Sequence, residues 1–179
     1  VFQISKQTII TISGKARHGK DTSAKIIKKI LEEKGKRPLK INYADFLKYL
    51  AAQYLNWDGK KDAAGRTILQ QLGNEKVHRF PTFWVDTAIN IAKLFEDDYD
   101  YVIIADSRFP HDITRWIDEG YKIVPIHVER LNFDNGLTAA QKKHPSETAL
   151  DNFNFAIKIR INTLRQLEAE LRRKIMHLI

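Results

Sequence analysis

A short β-branched run, Thr8–Ser13 (TIITIS), leads directly into Gly14-Lys-Ala-Arg-His-Gly19-Lys20, and an amphipathic segment follows. This junction constrains the fold more than any other feature of the chain. A brief run of β-branched residues suits a strand buried on both faces, as in a parallel sheet. Over Lys20–Lys34, Ala24, Ile27, Ile30 and Leu31 fall on one helical stripe, and Gly35 stands near its end. G-x-x-x-x-G-K between a strand and a helix lets the backbone curl so that successive N–H groups converge on an anion. The positive N-terminal end of the helix lies behind them. Lys20 then reaches the β- and γ-phosphates of a nucleotide. The alternative is a plain strand–helix turn.

The rest of the chain alternates in the same way. Leu39–Tyr43, Tyr101–Ala105 (YVIIA), Tyr121–Val128 and Phe155–Ile159 read as further strands. Helices are predicted over Phe46–Leu55, Gly65–Val77, Thr82–Phe95, Pro110–Glu119 and Asn162–Leu178. The pattern predicts one α/β domain over residues 1–179, a parallel sheet with helices on both faces. Two connections exceed what a crossover needs. Residues 45–96 read as an inserted helical subdomain, and the polar segment 129–151, with its Asn135-Gly136 turn, reads as a short lid.

Composition narrows the class. With 179 residues, 43% of them hydrophobic, the chain supports one real core. Its aliphatic runs are too short to span a membrane, and no charged-then-apolar leader opens it. The absence of cysteine excludes disulfides, thiol catalysis and cysteine zinc sites, and fits a cytoplasmic protein. The net charge of +8 is local. Residues 1–40 hold 11 lysines and arginines against 3 acids, and residues 41–179 hold 19 against 19. A small phosphorylated ligand is favoured over nucleic acid as the partner, because no aromatic residues interleave with the basic stretch as a single-strand platform requires. A homodimer would use the helical insert or the terminal helix, and neither carries a diagnostic pattern.

Asp21 follows Lys20 where a phosphate loop usually carries serine or threonine. Beside phosphates a carboxylate is repelled unless a cation stands between them. Asp21 therefore either holds Mg²⁺, through water, or serves the first turn of the helix, and Thr22 offers a hydroxyl one residue later. Arg17 and His18 flank the phosphates, or His18 is simply exposed. Asp106, at the end of the YVIIA strand, stands where a Mg²⁺-water ligand belongs, or caps a turn before Pro110. Arg108 points the same way as Asp106 in an extended chain. Arg66 and Arg79 in the insert match the bidentate geometry of an acceptor phosphate, or make surface salt bridges. Phe46, Phe80, Phe83 and Trp84 stack on a base or form the core of the insert. Asp45 recognises the acceptor or caps the following helix, and Gln70 is a further acceptor-side candidate. In the segment 129–151, Arg130 directly follows a strand and is favoured over Lys142 and Lys143 for closing on a phosphoryl group. His144 and Glu147 lie close together but form neither a zinc motif nor a triad.

GKARHGKDTSA, INYADFLK, GRTILQQLGNEKVHRFPTFWV, IADSRFPHDI and HPSETALDNFNFAIKIRIN, in this order, resemble the phage-type deoxynucleoside monophosphate kinases. Phosphomevalonate kinases have a similar G-K-D loop. The resemblance implies an adenylate-kinase-like P-loop NTPase fold with five parallel strands in the order 2-3-1-4-5, an acceptor subdomain and a lid. It implies phosphoryl transfer from ATP, with Mg²⁺, to a deoxynucleoside monophosphate. By position, Gly14, Lys15, Ala16, Arg17, His18, Gly19, Lys20, Asp21 and Thr22 match the donor loop. Arg66 and Arg79 match acceptor-side residues, Asp106 and Arg108 the central strand end, and Arg130 a lid residue. Arg160–Thr163 matches a loop against adenine, where Asn162 is followed by Thr163 rather than the family's frequent aspartate.

The chemistry is consistent with this set. A nucleotide 5′-phosphate has its second pKa near 6, so its attacking oxygen is already ionised and needs no general base. What transfer between two anions needs is a cation, a lysine, an amide cradle and arginines. A kinase for an alcohol would instead want a carboxylate base near the acceptor, a role open to Asp45 or Asp106. A P-loop kinase for another small acceptor and a non-enzymatic nucleic-acid-binding module are the competing classes.

Overall fold

Thr8–Ser13 forms β1, the middle strand of a five-stranded sheet, in a computed structural model that describes residues 7–60 and 62–178. The other strands are β2 (Pro38–Ile41), β3 (Tyr101–Ile104), β4 (Lys122–Arg130) and β5 (Ile157–Ile161). All pairings are parallel and the order is β2-β3-β1-β4-β5, as expected from the resemblance. Ile10 of β1 sits opposite Ile103 of β3 and Val124 of β4.

The alternation of side chains along β1 builds two cores. Ile10 and Ile12 pack on one face against α1 (Lys20–Glu33) and the C-terminal α8 (Leu167–Ile175), meeting Ile27, Leu31, Leu167 and Leu171. Ile9 points to the other face, where Val85 and Ile89 of α4 (Phe83–Leu94) and Trp116 of α5 (His111–Asp118) cover it. The insert comprises α2 (Tyr43–Tyr54), α3 (Ala63–Arg79) and α4. After β4 come two single-turn helices, α6 (Ala139–Lys142) and α7 (Pro145–Thr148). No helix among the described residues is long and apolar enough to cross a membrane.

Several boundaries differ from the sequence expectation, each for a tertiary reason. β2 stops at Ile41 because Asn42 and Asp45 form a capping box, which makes Tyr43 the first residue of a helix rather than the last of a strand. β4 runs on through Glu129 and Arg130 because β5 pairs with them, so the irregular segment starts after Arg130. β5 begins at Ile157, two residues late. Phe155 instead joins a small cluster with Ile113 and Leu150. The terminal helix opens with a 3₁₀ turn at Leu164–Gln166, where the Gln166 side chain accepts from the Asn162 and Thr163 amides.

Candidate active site

The loop between β1 and α1 takes a shape that glycine permits. Gly14 has φ +151°, and a Cβ there would lie 2.3 Å from the Val128 carbonyl oxygen. Gly19 has φ +103°. Arg17, at φ +63°, is a non-glycine residue in the left-handed region, the kind of local strain that tertiary contacts must hold in place. Those contacts are present. The Arg17 guanidinium donates to the Asn135 carbonyl at 3.0 Å. The Ala16 amide donates to Glu147 Oε2 at 2.9 Å. Lys15 Nζ reaches the Glu147 carbonyl and Asp151 Oδ1, each at 2.6 Å.

His18 corrects the expectation of an exposed side chain. It is buried, its Nδ1 accepts from the Arg130 amide at 3.0 Å, and it meets the Phe133 ring edge-on. Its pKa is lowered, first by burial and then by the Lys20 charge. Lys20 is 9% exposed, and its ammonium donates to the Gly14 and Lys15 carbonyls at 2.8 and 2.9 Å. Burial, reinforced by the Arg108 guanidinium, lowers its pKa to about 8, while Glu147, Asp21 and Asp106 oppose the shift.

The strand end opposite is equally constrained. Asp106 accepts from the Tyr43 amide at 2.9 Å and the Ala44 amide at 3.0 Å, so its carboxylate caps α2. The sequence anticipated a cap, but before Pro110. There Asp112 serves instead, accepting from the Arg108 and Phe109 amides. Burial raises the Asp106 pKa to about 6 against the pull of the two amides. Burial also raises that of Asp112. Asn42 Oδ1 accepts from the Ala105 amide, and Tyr43 donates its hydroxyl to the Asp112 carbonyl while accepting from Trp116 Nε1.

Between loop and strand end lies a cavity of about 450 Å³. Ala16, Arg17, Lys20 and Asp21 line one side, Asp106 and Arg108 the strand end, and α2 and α4 the far side through Tyr43, Leu47, Lys48 and Trp84. Phe109 and His111, also in the lining, lie parallel with centroids 5.5 Å apart. Trp84 turns its ring edge to Phe83, and its buried Nε1 has no hydrogen-bond partner among the described residues.

The structure thus brings together Ala16, Arg17, Lys20, Asp21, Trp84, Asp106 and Arg108. Other candidates stand apart from the cavity lining. Asp45 is exposed in the capping box, 3.5 Å from Lys48. Phe46 is 39% exposed and stacks on Tyr49. Gln70 and Arg79 are exposed on α3. Arg66 falls on the first turns of α3, and its side chain lies outside the described residues. Thr22 is exposed at the start of α1, and Asn162 is exposed after β5. The Arg130 guanidinium stacks on Phe133 at 3.6 Å, and Lys142 pairs with Asp134. His144 caps α7 by accepting from the Ser146 amide.

Sequence reasoning assigned no role to Asn42, Tyr43 or Glu147. Asn42 and Asp45, three residues apart before a helix, carried a readable capping signal. Glu147 had none beyond its place in the first turn of a short helix.

Among the described residues no group of three or more histidines and acids could hold a metal by itself. Asp21 and Asp106 do line the same cavity as Lys20. Two carboxylates with free lone pairs beside a phosphate loop fit Mg²⁺ shared with ligand phosphates and water, rather than a closed protein cage.

No protein-family model matches the sequence, and a search of curated proteins finds no match. Solved structures do match. The Mycobacterium tuberculosis APS kinase CysC in complex with AMPPNP and APS superposes with a TM-score of 0.56 at 14% identity, over 98% of this chain and 99% of that one. The Cys556Ala mutant of the same enzyme gives 0.54 at 14% identity, over 98% of both chains. A crystal structure of APE1195 gives 0.55 at 16% identity, over 98% of both. Together with the strand order and the glycine loop, these likenesses establish a P-loop fold.

Proposed function

We propose that this chain is an ATP-dependent kinase whose acceptor is a deoxynucleoside 5′-monophosphate. The observation that carries the reading is the cavity shared by Lys20, Asp21, Asp106 and Arg108, open to the helical insert on its far side. A donor held on the loop would present its terminal phosphate to that space. Trp84 and the parallel Phe109 and His111 rings supply flat surfaces for a base. The resemblance of the sequence motifs to the phage-type kinases supports this acceptor. The APS kinase likeness supports a P-loop kinase with a small nucleotide ligand, since that enzyme was solved with AMPPNP and APS.

In this reading the loop amides and Lys20 hold the donor phosphates. Arg108 stands at the strand end, where charge spreads over the transferred group, while Arg130 would have to leave the Phe133 ring to reach a phosphate. Asp21 and Asp106 are the residues that would hold Mg²⁺, which would supply further neutralising charge. The acceptor phosphate is already ionised, so no protein base is required.

A second reading has one observation in its favour. Asp106 is buried with its pKa raised to about 6, which suits a general base for a hydroxyl acceptor. ADP formation from ATP and Mg²⁺ separates the two, with dTMP, dGMP, dCMP, dAMP, phosphomevalonate and APS offered singly and Lys20→Ala as control. Turnover with a deoxynucleotide, lost in the variant, supports the first reading. Turnover only with another acceptor overturns it, and no turnover with salt-sensitive DNA binding points to the nucleic-acid module.

A further inference from the structure

Glu147 belongs to the H-P-S-E segment, which the proposed chemistry does not use. Its side chain is only 8% exposed, yet it lies 131 residues from the loop it touches. One carboxylate oxygen accepts from the Ala16 amide at 2.9 Å, and the other from Arg108 Nη1 at 2.5 Å. The same Nη1 donates to the Ser146 carbonyl at 3.3 Å. The Glu147 carbonyl accepts from Lys15 Nζ, which also pairs with Asp151. One short segment therefore grips the phosphate loop and the strand-end arginine together.

The way Arg108 is bound matters. Among the described residues its guanidinium uses only Nη1 on protein partners, while the side chain lines the cavity. A planar fork anchored along one edge leaves Nε and Nη2 for a phosphate and loses less rotamer freedom when it binds one. A neutral amide at position 147 has one acceptor and could serve only one of the two donors. A buried carboxylate beside an anion site is electrostatically costly, so its presence calls for an explanation.

We infer that Glu147 is a positioning residue that fixes Arg108 and the Ala16 end of the phosphate loop in register with each other. The inference rests on the kinase reading of the same cavity. It gives Glu147 an effect opposite to that of a simple phosphate ligand. Removing the charge does not weaken anion binding by lost attraction, because the carboxylate repels anions. It releases Arg108, and the loss falls on turnover.

The test is a double-mutant cycle between Glu147→Gln and Arg108→Ala, with Glu147→Asp as a second, shorter carboxylate and melting temperature as a folding control. In wild-type background Glu147→Gln should lower kcat about tenfold, with KM for the donor unchanged or lower. In the Arg108→Ala background the same change should have little further effect, giving a coupling of about fivefold or more. Pyrophosphate titrated into the four proteins gives a second cycle that needs no reaction. Coupling in that cycle supports the assignment even where wild-type protein turns over none of the acceptors, a result that sinks the kinase reading alone. Additive effects in both cycles, or an unchanged kcat in Glu147→Gln, overturn it.

Discussion

The Asp106 carboxylate accepts from the Tyr43 backbone amide at 2.9 Å, joining the end of β3 to the first turn of α2 across 63 residues of chain. One acid thus belongs both to the cavity and to the anchoring of the insert. Its pKa is raised to about 6 by burial. Between about pH 4 and 6 the folded protein holds a proton that the unfolded chain releases. The stability from that bound proton is complete below about pH 4 and lost as pH rises through about 6. Asp106→Asn should flatten this slope in calorimetric melts between pH 4 and 7, leaving the part that buried Asp112 contributes. It should also cost about 1–3 kcal/mol near neutrality, because the amide cannot accept both helix N–H groups with equal geometry. A slope left unchanged by the substitution would remove Asp106 as a source.

The Lys20 pKa is shifted the other way, and the prediction it carries concerns binding. Its pKa of about 8 means that the lysine is mostly charged at pH 7 and loses its charge as pH rises past 8. A bound phosphate favours the charged form, so pyrophosphate affinity should fall between pH 7.5 and 9, where the ligand's own charge does not decrease. Lys20→Ala should bind more weakly at pH 7 and show a flatter profile over that range. If the reading is right, Lys20→Ala should also lower turnover by roughly 10²–10³.

Glycine substitutions should rank by what a Cβ would meet. At Gly14 it would strike the Val128 carbonyl at 2.3 Å with φ at +151°, whereas at Gly35, with φ +70°, nothing lies within 4 Å. Gly35→Ala should cost about 1 kcal/mol, from backbone strain alone. Gly14→Ala should cost distinctly more, about 3 kcal/mol or above, because the strand β4 backbone must move. Chemical denaturation of the two variants checks the order.

Trp84 separates stability from selectivity. Its indole N–H is buried with no hydrogen-bond partner among the described residues, while the side chain lines the cavity. Trp84→Phe relieves an unpaired donor and loses some packing, so the unfolding free energy should change little, within about 1 kcal/mol. On the proposed function, the relative kcat/KM across the four deoxynucleotides should shift. A uniform change for all four would place Trp84 in the packing of the insert and not against the base.

Much of the site was legible because it is local. The glycine loop, Lys20 and Asp21 lie in one continuous stretch between a strand and a helix, and Asp106 and Arg108 follow a strand whose burial is plain from YVII. The two connections too long for crossovers pointed to the helical insert and the polar segment. His18 and Asp45 were harder, since each fits several local roles, and Glu147 carried no local signal of its distant partners. Asp45 completes the capping box with Asn42, one of the two roles left open for it, and His18 turned inward because the Arg130 amide needs an acceptor there.

By itself the sequence determined the alternation of strands and helices, the two buried faces of the sheet and the conformation available to the phosphate loop. These follow from hydrophobic period and from where glycine allows positive φ, both written in neighbouring residues. Only the tertiary structure decided that Asp106 caps α2, that His18 ties the loop to β4, and that Glu147 bridges Ala16 and Arg108. Those bonds span 63, 112 and up to 131 residues. A polar side chain leaves no period in the sequence that names its distant partner, so the pairing emerges only when burial forces each donor to find an acceptor.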